Sequence, residues 1–200
     1  MSNKTRLPRL SGIAAIIGGA MLMVKAAVIL VGGSQPPLLY GAAPIAFGIT
    51  LVMLGALLVG RLARAGRILA LIITAAAGAL VLEELLSDRE LIPMVSSILA
   101  VVTGFGPFVA LILLGWASRR QWSLPASWRV SPLTVAGLYP LSVLAMAPVA
   151  FFVDLDGATG ERLIELPILL IGAGWAAFGG SLVAAPPGQS APFSAPTTVA

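Results

Sequence analysis

Three stretches of this chain, residues 26–60, 91–118 and 130–153, carry no charged side chain at all. Each exceeds the roughly 20 apolar residues that span a bilayer's hydrocarbon core of about 30 Å. Elsewhere charges are scarce too: they make up 10% of the 200 residues, where a soluble domain carries about 25%. With 58% of residues hydrophobic, no water-facing surface could be covered, and the sequence predicts an all-α, polytopic membrane protein.

Six segments suit a membrane helix: approximately Leu10–Gly32, Leu38–Gly60, Ile68–Leu86, Leu91–Trp116, Pro132–Val153 and Leu163–Ala185. Short connections make sequential helices antiparallel neighbours, so the expected architecture is one bundle of six transmembrane helices over residues 1–185. The longest connection, Ala117–Ser131, holds Trp122, Trp128 and Arg129, a composition that suits lipid headgroups. Residues 186–200 are uncharged, aperiodic and rich in Pro, Ser and Ala. They read as a disordered cytoplasmic tail.

Charge placement predicts orientation. Lys4, Arg6 and Arg9 precede the first segment, Arg61, Arg64 and Arg67 fall between the second and third, and Arg119, Arg120 and Arg129 between the fourth and fifth. No acid accompanies them. All eight acids, Glu83, Glu84, Asp88, Glu90, Asp154, Asp156, Glu161 and Glu165, fall with Arg89 and Arg162 toward the opposite side. Short loops rich in Lys and Arg stay cytoplasmic, which places both termini inside. The first apolar stretch is longer than a signal peptide's core of about 7–15 residues and reads as a retained helix. The abundance of Arg, Ala, Gly and Pro suggests a bacterial source, hence the plasma (inner) membrane. The net charge of +4 does not point to nucleic acid, because the inner basic residues sit at segment ends where anionic headgroups attract them.

The absent residues exclude chemistry. The chain has no Cys and no His, which removes thiol nucleophiles, Cys/His zinc sites, haem ligation through His and Ser–His catalysis. No cofactor and no metal site is expected.

Lys25 lies inside the first segment and Glu83 and Glu84 inside the third. Both segments run outward, and Lys25 and Glu83 sit at equal depth, roughly 22 Å from the inner boundary at 1.5 Å per residue. A pair of Lys25 with Glu83 or Glu84 is therefore expected, since an isolated charge at the bilayer centre costs about 2.5 kcal/mol or more. Such a pair reads as a ligand or proton site, as a register-fixing ion pair, or as side chains snorkelling outward. Asn3, Gln35, Gln121 and Gln189, the chain's amide side chains, all lie outside the six segments. Few polar groups remain there for a polar solute, and a hydrophobic or amphipathic ligand suits the lining better.

Within the fourth segment, Thr103–Pro107 reads "TGFGP". Pro107 removes a backbone hydrogen bond and Gly104 and Gly106 loosen the turn, so a kink or unwound turn is expected there. Gly172, Ala176 and Gly180 recur every fourth residue in the sixth segment, as do Ser11, Ala15 and Gly19 in the first. Small residues so spaced allow close helix packing, within the chain or between copies. The acidic stretch Asp154–Glu165 matches a calcium loop at positions 1, 3 and 12, but Ala158 and Thr159 occupy positions 5 and 6. Capping of the sixth helix by Asp156 or Thr159 accounts for it more simply.

Two functions remain. The first is a non-enzymatic accessory, assembly or regulatory membrane module, with the bilayer and another membrane protein or a second copy as partners. The alternative is a small transporter or substrate-capture subunit. In size and topology the chain is similar to the membrane substrate-binding subunits of bacterial vitamin importers, a likeness without a shared motif.

Overall fold

The computed structural model describes residues 3–34, 36, 38–86, 93–121, 124–152 and 157–184. The tail, Trp122, and Asp154 and Asp156 lie outside them. The described residues form six helices: α1 (Asn3–Leu30), α2 (Leu39–Leu57), α3 (Arg61–Leu85), α4 (Pro93–Arg119), α5 (Ala126–Phe152) and α6 (Gly157–Ala184). Five, all but α2, are long and apolar enough to cross a membrane. The molecule is accordingly a multi-pass, membrane-embedded helical bundle.

The helices are longer than the apolar segments, and their polar ends are helical too. Arg61, Arg64 and Arg67, expected in a loop, occupy the first turns of α3. Gly60, at φ 111, adopts a backbone that side-chain-bearing residues rarely reach, so α2 turns into α3 within Leu58–Gly60. Trp128, expected in the connection between the fourth and fifth segments, is helical and buried. Its Nε1–H donates to the Ser181 carbonyl at 3.2 Å, tying α5 to α6. α6 starts at Gly157, so Thr159 stands inside the helix and not at its cap.

The six helices close a ring in chain order, α6 packing on α1, with α2 also touching α4 across the middle. Apolar residues line both faces of this ring. Inside, Leu51, Ile73, Leu111, Leu114, Trp175 and Phe178 are buried, while Leu71, Ile72, Val101, Phe105, Val143 and Leu144 face outward. That outward set is what a lipid solvent permits and water would not.

The α1–α6 seam is the most extensive contact. A Cβ on Gly19 would lie 2.5 Å from the Gly172 carbonyl oxygen and 2.7 Å from Ala176 N. Gly12 and Gly179 meet in the same way. Both pairs of glycines are two turns apart on their helices, so they lock one antiparallel register. Gly172 and Ala176 thus pack within the chain. Gly180 does not: a Cβ there meets nothing within 4 Å. Gly179, its neighbour, takes the position facing α1, because the helix rotates by 3.6 and not 4 residues per turn. On α1's other side, Ser11 Oγ donates to the Thr50 carbonyl at 3.1 Å and Thr50 Oγ1 to the Ser11 carbonyl at 3.3 Å, fastening α2.

Candidate functional site

Continuing the glycine register by just under two turns past Gly19 brings Lys25 opposite Glu165. Lys25 Nζ donates to Glu165 Oε1 at 3.0 Å and Oε2 at 3.3 Å. Both side chains are under one-tenth exposed, at 8% and 9%. This pair replaces the expected one with Glu83 or Glu84. Equal depth did not make neighbours, because α2 stands between α1 and α3, which do not touch.

Glu83 and Glu84 have other duties. Glu83 accepts from Ser96 Oγ at 2.8 Å, joining the end of α3 to the start of α4. Glu84 accepts from the backbone N–H of Leu38 at 3.0 Å. Leu38 has a left-handed backbone at φ 65 and provides no side-chain cap for α2. Glu84 therefore supplies from α3 the anionic partner that an orphaned helix N-terminus favours.

The sequence does not single out Glu165, because the sixth apolar segment begins at Leu163 and leaves Glu165 at its edge. With α6 starting at Gly157, Glu165 lies roughly 12 Å along the helix at 1.5 Å per residue. The findable signal was the glycine pattern: Gly12 and Gly19 share their spacing with Gly172 and Gly179, and that register aims Lys25 at Glu165.

Beside the pair, the bundle centre holds a cavity of about 270 Å³. Leu22 and Lys25 of α1, Pro44 and Phe47 of α2, and Ile168 and Ile171 of α6 form one wall. Thr103, Gly104, Phe105 and Pro107 of α4 and Tyr139 of α5 form the other. Two of the lining residues, Phe47 and Tyr139, belong to an aromatic cluster. Phe47 stacks on Trp175 with centroids 4.1 Å apart, and Trp175 Nε1–H donates to the Tyr139 hydroxyl oxygen at 3.2 Å. Phe108 lies 5.6 Å from the Tyr139 ring.

No turn is unwound at Gly104, Gly106 and Pro107, where the sequence predicts a kink or an unwound turn, for α4 runs without interruption from Pro93 to Arg119. Pro107 is fully buried, and Gly106 lies so close to Ile73 of α3 that a Cβ would come within 2.6 Å of its Cγ1. This packing holds the helix through the lost hydrogen bond. The loss still marks the site, because a proline at 107 leaves the Thr103 carbonyl without its helical donor. Thr103 Oγ1 bonds back to the carbonyls of Leu99 at 2.9 Å and Ala100 at 3.1 Å. Gly104 is exposed, with open space where a Cβ would be, and Phe105 is 65% exposed. The cavity wall thus reaches the outer surface at the middle of α4.

Among the described residues no group of three or more acids could hold a metal ion. The arrangement is an apolar chamber with three polar residues on its lining and an ion pair at its wall. The chain matches no known protein family, no curated protein and no solved structure.

Proposed function

We propose that this chain captures a small amphipathic molecule from the bilayer in the centre of its bundle, as a small transporter or a substrate-capture subunit and without enzymatic chemistry. The observation that carries the reading is the 270 Å³ cavity lined by Lys25 and bounded by lipid-facing residues at Gly104 and Phe105. Ligand sites are concave, mostly apolar and furnished with a few placed polar groups, and this one has that composition. An accessory module would dock through small-residue faces, but Gly12, Gly19, Gly172 and Gly179 are consumed between α1 and α6.

In this reading all six helices span a bacterial plasma membrane. The 19 residues of α2 rise roughly 28 Å at 1.5 Å per residue, close to the hydrocarbon thickness. Both termini are cytoplasmic in this reading, which is supported by Arg6, Arg9, Arg61, Arg64, Arg67, Arg119, Arg120 and Arg129 falling near the starts of α1, α3 and α5 and the end of α4, since helix ends rich in Arg stay inside.

Native mass spectrometry of the protein released gently from its own membrane tests this. A reproducible extra mass of a few hundred daltons, lost in Gly104→Leu at unchanged thermal stability, is the expected result. A bare chain, or a fixed second polypeptide with no small adduct, would return the account to the accessory-module reading.

A further inference from the structure

The chemistry of the cavity wall also selects the polar end of what it holds, given that the cavity is a ligand site. Lys25 and Glu165 neutralise each other across the α1–α6 seam at 3.0 Å. A ligand with its own formal charge would place a third, uncompensated charge in an apolar chamber, and burying such a charge is costly.

What the wall offers is hydrogen-bond donation. The Lys25 ammonium has three N–H groups, and Glu165, its acceptor among the described residues, takes at most two. The Tyr139 hydroxyl oxygen already accepts from Trp175, and its own proton has no acceptor among the described residues. The Thr103 hydroxyl is spent on its own helix. Buried Lys25 and half-buried Tyr139 therefore bring two unmatched donors to one cavity, and a donor left without a partner in apolar surroundings is destabilising. Leu22, Phe47, Phe105, Ile168 and Ile171 leave the remaining wall apolar. The volume of about 270 Å³ is far above the roughly 10–15 Å³ of cavity that one water needs, room for a short apolar body.

We infer that the cavity binds a neutral amphiphile whose polar end carries acceptor oxygen, of the ketone or quinone class, with Lys25 and Tyr139 as the available donors. Neither a carboxylate nor an amine satisfies both donors and preserves neutrality.

Three probes with comparable tails separate the cases: radiolabelled tridecan-2-one, dodecanoate and dodecylammonium, bound to the full chain in lipid nanodiscs with empty nanodiscs subtracted. The ketone is expected to bind saturably, one per chain, and at least tenfold more tightly than either charged probe. Tyr139→Phe should weaken ketone binding by roughly tenfold, the equivalent of one buried hydrogen bond. Lys25→Met combined with Glu165→Leu keeps the wall neutral and should weaken it comparably, which guards against a misfolded single variant. Tighter binding of dodecanoate or dodecylammonium overturns the neutral-oxygen assignment while leaving capture intact. If no probe binds saturably, or if all three bind alike and Gly104→Leu has no effect on them, capture itself fails.

Discussion

The two halves of the α1–α6 seam solve one problem in opposite ways. From Gly12 to Gly19, backbone meets backbone: Gly172, Ala176 and Gly179 leave no space, and Trp175, Phe178 and Leu182 behind them are buried. Further along, Lys25 and Glu165 hold the same two helices through long side chains, and a cavity of about 270 Å³ remains beside them. Without a hydrophobic force between helices in lipid, association relies on close packing and polar contacts. The glycine half uses the first and excludes any ligand. The charged half uses the second, and the cavity lies beside it.

The comparison breaks most visibly at the ion pair. Lys25→Met leaves the Glu165 carboxylate buried without a partner and should cost about 3–5 kcal/mol, read from thermal unfolding in detergent. Adding Glu165→Leu should recover most of that loss. A double variant as unstable as the single would mean that the pair does not carry this half of the seam.

At the glycine half, Gly19→Val should cost about 1–3 kcal/mol through overpacking, while Gly180→Val should stay within about 0.5 kcal/mol. Equal effects at the two sites would contradict the register. Smaller again, Gly104→Leu should leave unfolding unchanged within about 0.5 kcal/mol yet abolish retention of the amphiphile proposed to bind. Smallest of all is the coupling of Lys25→Met with Glu83→Gln or Glu84→Gln, whose effects should add within about 0.5 kcal/mol because the sites share no partner. Coupling beyond that would restore the pairing that depth alone suggested.

Much of the bundle was legible in the sequence because lipid imposes a length and an apolar composition that local windows record. Helix ends were not: Arg61 to Arg67 and Trp128 are helical in the protein, since long or amphipathic side chains can lie along an apolar surface while the backbone stays wound. The candidate site was half legible. Lys25 stands out as a charge in an apolar stretch, but its partner depends on which helices are neighbours, and depth carries no information about that. Gly12, Gly19, Gly172 and Gly179 do carry it, through a shared spacing that fixes register. The cavity itself had no sequence signature. "TGFGP" suggested a broken helix, whereas packing of Gly106 and Pro107 keeps α4 intact and turns Gly104 into an opening.

The most direct test is a crystal structure of the full chain grown in lipid with 12-bromododecan-2-one, locating bromine by its anomalous scattering. One strong bromine site is expected in or at the mouth of the cavity beside Phe105, with the ketone oxygen within hydrogen-bond reach of Lys25 or Tyr139. Bromine confined to the outer surface, with side chains closed over the space between Lys25 and Tyr139, would contradict it.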